Sequence, residues 1–213
     1  MGKFIVFEGG DGSGKSTQAR SLYRMLVRRG VPALLTHEPG GTDTGQRIRR
    51  LVKGGREINP VSELLLFAAS RGQLVGEVIR PALSRGVVVI SDRYADSTRA
   101  YQGYGRGLDM ATIEAINDMA TGGLNPDLTI LLDMGAEGGL ARKGPAPSDR
   151  FEREEAGFHR RVREGYLKLA RADPGRWLVL DATLPKRKVT EAIWEGVSKV
   201  LAEEAPREAL AQA

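Results

Sequence analysis

A glycine-rich run near the N-terminus carries residue types at the spacing of a phosphate-binding loop. The pattern G-x-x-x-x-G-K-[ST] is matched by Gly9, Gly14, Lys15 and Ser16. Because glycine tolerates left-handed backbone angles, the N–H groups of such a turn converge on phosphate oxygens at the positive end of the next helix. The lysine would reach the β- and γ-phosphates, and the serine hydroxyl would bind Mg²⁺. The pattern therefore predicts binding of a nucleoside triphosphate.

The setting of this run supports the interpretation over a chance match in a surface turn. An apolar stretch at residues 3–8 precedes it and a helical pattern follows, which is the strand–turn–helix order that the motif requires. Four glycines in the turn are expected to take left-handed angles. The predicted nucleotide-binding residues are Gly9, Gly10, Asp11, Gly12, Ser13, Gly14, Lys15, Ser16 and Thr17.

Charged residues also follow the next two predicted strands. Glu38 comes after the second strand, and Asp92 and Arg93 come after the third. In open parallel sheets, ligands bind beyond the carboxyl ends of the strands. This coincidence predicts one site built from three neighbouring turns.

The elements that must position these residues alternate between strand and helix five times. Strands are predicted at 3–8, 31–36, 87–90, 128–132 and 177–180, and helices at 15–29, 44–53, 60–84, 109–121, 154–172 and 186–204. The helix at 60–84 is expected to continue or break near Gly72. Alternation of this kind predicts an α/β fold of the P-loop NTPase type: a five-stranded parallel sheet in a three-layer α/β/α sandwich. With 213 residues and no low-complexity linker, 1–213 is expected to form a single domain.

Composition narrows the classes of function. The formal net charge is +5, from 32 Lys and Arg against 27 Asp and Glu, but the arginines are scattered, so we expect no nucleic-acid partner. We expect no signal peptide and no membrane span. The lack of cysteine is compatible with a reducing cytoplasm. Of the two histidines, His37 is expected at a strand end and His159 on a helix surface, with no metal site at either.

Several longer strings resemble the thymidylate kinase family, and the resemblance covers nearly the whole chain. The strings are FEGGDGSGKSTQ, EPGGT, LLLFAASR, DRYADSTRAYQG and DRFE. The resemblance implies in-line transfer of the ATP γ-phosphoryl group to dTMP, giving dTDP, with Mg²⁺ as cofactor. It also implies a cytoplasmic homodimer, with apolar helix faces near 61–83 and 97–119 as candidates for the interface.

The same resemblance implies roles for individual residues. Phe67 would stack on thymine, Arg71 would donate to a base carbonyl, and Gln102 would read the imide edge of the base. From the spacing alone, a core aromatic and a surface arginine would be favoured for Phe67 and Arg71, and the LLLFAASR string reverses that preference. The implied dTMP-binding set is Asp11, Glu38, Pro39, Arg49, Phe67, Arg71, Arg93, Ser97, Tyr101 and Gln102, and the implied metal set is Ser16 and Asp92.

The resemblance further implies a mobile lid at about 141–153. Some family members carry an arginine within the phosphate loop, where this chain has Gly12, so the charge that stabilises the transferred phosphoryl must come from elsewhere. The implied catalytic residues are Lys15, Arg93, Arg142 and Arg150, and Arg142 would also contact ATP. Residues 144–148 replace positions that are often basic, so which lid arginine acts stays open.

Two other functions remain open at this point. One is a kinase for another deoxynucleotide or for a deoxynucleoside. The other is a nucleotide-dependent switch or partitioning ATPase, which would hydrolyse ATP slowly without any acceptor.

Overall fold

The computed structural model describes residues 2–54, 57–135, 138–139, 150–151 and 153–202. Arg142 and most of the predicted lid lie outside these residues. The single-domain interpretation of 1–213 stays a prediction.

Five strands form one parallel sheet, as predicted. They are β1 (Phe4–Glu8), β2 (Ala33–His37), β3 (Val88–Asp92), β4 (Leu128–Asp133) and β5 (Trp177–Asp181), in the spatial order β2-β3-β1-β4-β5. The central strand β1 is buried along its whole length because it pairs with β3 on one side and β4 on the other. This order brings the ends of β1, β2 and β3 next to one another.

The helices mostly follow the predicted pattern. They are α1 (Lys15–Arg28), α2 (Asp43–Lys53), α3 (Pro60–Leu74), α4 (Arg80–Ser84), α5 (Ala95–Thr98), α6 (Met110–Thr121), α7 (Ala156–Ala172) and α8 (Lys186–Ala202). Two π-helical segments lie between them: Val75–Ile79 joins α3 to α4, and Arg99–Gly105 follows α5. The helix predicted at 60–84 is therefore interrupted, at Val75 rather than at Gly72.

The second π-helical segment was not predicted as a helix, since its glycines favour a loop. Its packing explains the difference. A Cβ on Gly105 would lie 2.6 Å from the Phe158 ring of α7, and one on Gly103 would lie 2.7 Å from Met110. These glycines let the segment approach α6 and α7 closely, so tertiary packing outweighs their poor helix propensity.

The sheet is covered on both faces. On one face α1 and α8 pack against β1 and β4 through Leu22, Leu26, Ile193 and Val197. On the other face the Val75–Ile79 segment and α4 pack through Val75, Ile79 and Leu83. A third cluster joins α7 to the Arg99–Gly105 segment.

The prediction for His159 was wrong. Its side chain lies in α7 but is buried, with its ring 5.5 Å from that of Phe158. It faces a small cavity of about 20 Å³ that Gly10 and Ser13 also line. The helix lies against the phosphate loop here, which the spacing of apolar residues in the sequence did not reveal.

Candidate active site

The glycine-rich turn connects β1 to α1 and has the backbone of a phosphate loop. Gly14 caps α1 with φ 92°. A Cβ on Gly9, where φ is +137°, would lie 2.5 Å from the Leu132 carbonyl oxygen, so only glycine fits there. Gly12 also has positive φ, whereas Gly10 does not, so the expectation of four left-handed glycines holds for three. The N-terminus of α1 is thus open to an anion.

Lys15 folds back over this loop. Its ammonium group is buried and donates to the Gly10 carbonyl oxygen at 2.7 Å. Burial lowers the pKa of Lys15 to about 8, and the nearby charge of Arg93 acts in the same direction. A bound phosphate group would place a negative charge beside this ammonium group and so compensate for its burial.

Ser16 and Asp92 meet across two elements. The Ser16 hydroxyl at the start of α1 donates to Oδ2 of Asp92, and the parallel register places Asp92 opposite Phe7 of β1. No cluster of three or more acidic, histidine or cysteine ligands occurs in the part of the chain that the structure describes. Two hard oxygen ligands beside a phosphate loop suit Mg²⁺, which keeps several water molecules and also binds substrate phosphates.

Arg93 lies at the centre of the site. It is the one non-glycine residue with positive φ (78°) within the described ranges, and its guanidinium group donates to the Asp11 carboxylate at 2.9 Å. It also donates to the hydroxyls of Ser97 and Tyr101, each at 3.1 Å. A strained backbone held by many contacts is typical of functional positions. These contacts aim its charge at the space above the phosphate loop.

The buried carboxylate of Glu8 holds two of the hydroxyl groups that contact Arg93. Glu8 accepts from the Ser97 hydroxyl at 2.6 Å and from the Tyr166 hydroxyl at 2.8 Å, and burial raises its pKa. Tyr166 of α7 also accepts from Arg93 at 3.2 Å. Tyr166 was not predicted as a site residue, because nothing in a helical pattern indicates which tyrosine turns toward a distant strand end.

One cavity of about 600 Å³ connects the phosphate loop with the ends of β2 and β3. Sixteen of the predicted site residues line it: Asp11, Gly12, Gly14, Lys15, Ser16, Thr17, Glu38, Pro39, Arg49, Phe67, Arg71, Asp92, Arg93, Ser97, Tyr101 and Gln102. Gly9, Gly10, Ser13 and Arg150 do not line it. The first three contribute backbone to the loop.

Arg71 is almost completely buried and already has several partners. Its guanidinium group donates to Glu38 Oε2 at 2.9 Å and to Asn117 Oδ1 at 2.7 Å. Nη2 donates to the Tyr94 carbonyl and the Thr98 hydroxyl, both at 3.0 Å. Four of its five N–H groups therefore have partners among the described residues, which leaves one N–H on Nη1 for a ligand.

The turn after β2 brings a second acidic residue and a second arginine to the cavity. Burial raises the pKa of Glu38 to about 7, although Arg71 opposes this shift. Glu38 Oε1 and the Thr36 hydroxyl are both buried, and neither has a hydrogen-bond partner among the residues that the structure describes. Arg49 of α2 donates to the Pro39 carbonyl at 3.0 Å, which holds its charge at the cavity wall.

Comparison with known proteins identifies the family. A family model described as thymidylate kinase matches residues 7–193. The thymidylate kinase of Dehalococcoides mccartyi is 54% identical over 203 residues, which covers 94% of this chain and 98% of that protein. The chain belongs to the thymidylate kinase family.

Two further members and one solved structure agree. The thymidylate kinases of Deinococcus radiodurans and Thermomicrobium roseum are 50% and 49% identical, covering 93% and 94% of this chain and 98% and 97% of those proteins. The crystal structure of thymidylate kinase from Ehrlichia chaffeensis matches with a TM-score of 0.77 and 32% identity, covering 92% of this chain and 98% of that one.

Within this member of the thymidylate kinase family, Arg150 lies away from the phosphate loop. Its guanidinium group contacts the Glu63 carboxylate of α3, which also accepts from Gln102 at 2.7 Å. Arg142 falls outside the described residues. The catalytic roles of both arginines therefore remain predictions.

Several residues that line the cavity were not predicted as site residues. They are Ala19, Arg20, Leu35, Thr36, His37, Lys53, Thr98 and Phe151. Phe151 belongs to the DRFE string, and its ring lies 5.9 Å from those of Phe67 and Tyr101. The DRFE string was assigned to the predicted lid, but only the fold shows that the Phe151 ring forms part of the cavity wall.

Among the described residues, no helix of this family member has both the length and the hydropathy that a membrane span requires.

Proposed function

We propose that this protein transfers the γ-phosphoryl group of ATP to dTMP, giving dTDP. One observation carries the proposal: a single cavity of about 600 Å³ joins a phosphate loop to an end that is lined by aromatic and arginine side chains. A kinase must bring two polyanions together, and this cavity offers a cationic place for each.

The donor side uses the loop and the start of α1. Backbone N–H groups around Gly14 would bind the ATP phosphates, and Lys15 would neutralise the β- and γ-phosphates. Ser16 and Asp92 would hold Mg²⁺, which supplies charge neutralisation between the phosphates when it is bound.

The acceptor side uses the ends of β2 and β3. Arg93 and Arg49 reach the cavity between the two predicted binding regions, where they would clamp the dTMP phosphate. An anionic phosphate oxygen is already a nucleophile, so the reaction needs positioning and charge neutralisation rather than a strong base.

The base and sugar would occupy the far end. Phe67 offers a half-buried ring for stacking, and the remaining N–H of Arg71 is available for a base carbonyl. Tyr101 and Asp11, joined by a hydrogen bond of 3.1 Å, would contact the deoxyribose and its 3′-hydroxyl. Arg142 and Arg150 remain our candidates for neutralising the transferred phosphoryl group.

A coupled assay of ADP release, with and without dTMP, tests the proposal. We expect turnover to require both ATP and dTMP, and dTMP to exceed dUMP, dCMP and thymidine as acceptor. Equal ADP release without acceptor would indicate a switch or partitioning ATPase. Preference for thymidine would instead indicate a nucleoside kinase, although the arginine pair at the acceptor end disfavours that outcome.

A homodimer and a cytoplasmic location are part of the same proposal. Val61 and Leu65 of α3 are each 52% exposed, and Met119 of α6 is 86% exposed. Large exposed apolar side chains on two helices that pack together are typical of a surface that another chain covers.

A further inference from the structure

Glu63 is a buried acid outside the cavity that sequence analysis did not single out. Its carboxylate is 0% exposed on α3 and lies behind Gln102, one of the cavity-lining residues. Gln102 Nε2 donates to Glu63 Oε1 at 2.7 Å. The acid therefore touches a predicted substrate-reading residue from the side that faces away from the ligand.

This contact fixes which end of the Gln102 amide faces the cavity. A carboxylate offers only lone pairs, so the NH₂ end of the amide must turn toward Glu63. The amide oxygen Oε1 is then left for the ligand, and among the described residues it has no hydrogen-bond partner.

Two arginines hold the carboxylate in place. Arg106 donates to both Glu63 oxygens at 3.4 Å, and Arg150 donates to Oε2. Arg106 also pairs with Glu154 at 2.7 Å, which anchors its guanidinium group. Glu63 is thus fixed on one side by cations, and it orients Gln102 on the other.

We propose that Glu63 is a positioning residue that sets base selectivity by fixing the Gln102 amide oxygen as the group that faces the base. This inference rests on the proposed function. Thymine and uracil carry an N–H at N3, which can donate to Oε1, whereas cytosine has a lone pair there. With the amide held this way, the lone pairs of Gln102 Oε1 face the lone pair at N3 of cytosine. They repel each other, so a cytosine base is rejected.

The variant Glu63→Gln tests the proposal because it can reverse the amide. Arg106 and Arg150 need an acceptor, so the new side chain keeps its oxygen toward them and turns its NH₂ toward residue 102. Gln102 then rotates its oxygen toward that NH₂ and presents NH₂ to the cavity. We expect kcat/KM for dCMP relative to dTMP to rise by about tenfold or more, the scale of a hydrogen bond gained or lost in a buried site.

Two comparisons separate this role from a structural one. The ratio of dUMP to dTMP should not change, since both bases carry the N3 hydrogen. The matched control Glu154→Gln removes the other acid paired with Arg106 but does not touch Gln102, and should leave the dCMP to dTMP ratio at its wild-type value.

If Glu63→Gln does not fold, Glu63→Asp keeps the charge beside the arginines but withdraws it from Gln102, and should raise the same ratio to a smaller extent. In a Gln102→Leu background, Glu63→Gln should have no further effect on it. An unchanged ratio in a folded Glu63 variant would overturn this inference alone. Failure of the wild-type protein to phosphorylate dTMP would overturn the proposed function as well.

Discussion

At the scale of single residues, Lys15 is buried in surroundings that disfavour its positive charge. Its pKa is lowered to about 8 because burial and Arg93 both disfavour its charge. Bound phosphates would remove this penalty, so the free site favours a polyanion over water. The lysine is thus prepared for a ligand that the free protein lacks.

Lys15→Ala is expected to abolish turnover while the fold stays intact. Among the described residues, the ammonium group hydrogen-bonds only to Gly10 and Ser13 of the loop, so its loss removes phosphate neutralisation without opening the core. Turnover with ATP and dTMP and the circular dichroism spectrum measure the two effects. Wild-type turnover in a folded variant would remove the loop from the mechanism.

The pH dependence of kcat/KM for ATP should also report Lys15. A lysine loses its charge as pH rises through its pKa, so kcat/KM should fall about tenfold per pH unit above about 8. In the ternary complex the phosphates raise that pKa, so kcat should stay level to higher pH. In Lys15→Arg, any remaining activity should lack this alkaline limb. A level kcat/KM up to pH 9.5 in the wild-type protein would contradict the assignment.

At the scale of elements, the alternation of strands and helices was predictable because apolar runs and glycine turns are local signals. The helix predicted at 109–121 is one example: Asp109 caps α6 and accepts from the Thr112 amide at 2.8 Å. The phosphate loop was predictable for the same reason. In contrast, the Arg99–Gly105 segment depends on contacts with α7, more than fifty residues later, which no local pattern contains.

The residues of the site also divide into those that a local signal predicts and those that depend on distant contacts. Asp92 and Arg93 could be placed because they lie at the carboxyl end of β3, a strand that a local apolar run predicts. The supporting contacts of Glu8 with Tyr166, and of Glu63 with Gln102, join residues far apart in the chain. Their partners are decided by helix packing, so sequence spacing gave no signal for them.

The close contact between α7 and the Arg99–Gly105 segment yields a stability prediction. A Cβ on Gly165 of α7 would lie 2.5 Å from the Tyr104 ring and 2.8 Å from the Tyr104 Cβ. Overpacking there costs about 3 kcal/mol, against about 1 kcal/mol of gained helix propensity, so Gly165→Ala should lower the free energy of unfolding by about 2 kcal/mol. Urea denaturation measures the change.

Gly157 on the same helix provides the control. Its added Cβ would meet only the flexible ends of Glu155 and Arg161, at 3.1 and 3.4 Å. Gly157→Ala should therefore leave stability unchanged or raise it by up to about 1 kcal/mol. Equal effects of the two substitutions would show that helix propensity, rather than the contact with Tyr104, controls stability here.

At the scale of the whole molecule, charge and shape act together. Of the described residues that line the cavity, six are lysine or arginine and three are acidic, so their net charge is positive, like the net charge of +5 for the chain. A concave site lined mainly by one sign of charge concentrates the field and attracts anions such as nucleotides. The basic lining of the cavity therefore suits the anionic nucleotides on which a thymidylate kinase acts.

The exposed apolar surface leads to a prediction about assembly. Leu65 of α3 points away from the core and is 52% exposed, one helical turn from the equally exposed Val61. If a second chain covers this surface, Leu65→Glu places a charge in an apolar interface and should convert a dimer into a monomer. Leu184, 46% exposed after β5, provides the matched control: Leu184→Glu should stay dimeric. Analytical ultracentrifugation of all three proteins measures the mass, and a dimeric Leu65→Glu or a monomeric wild-type protein would exclude this surface as the interface.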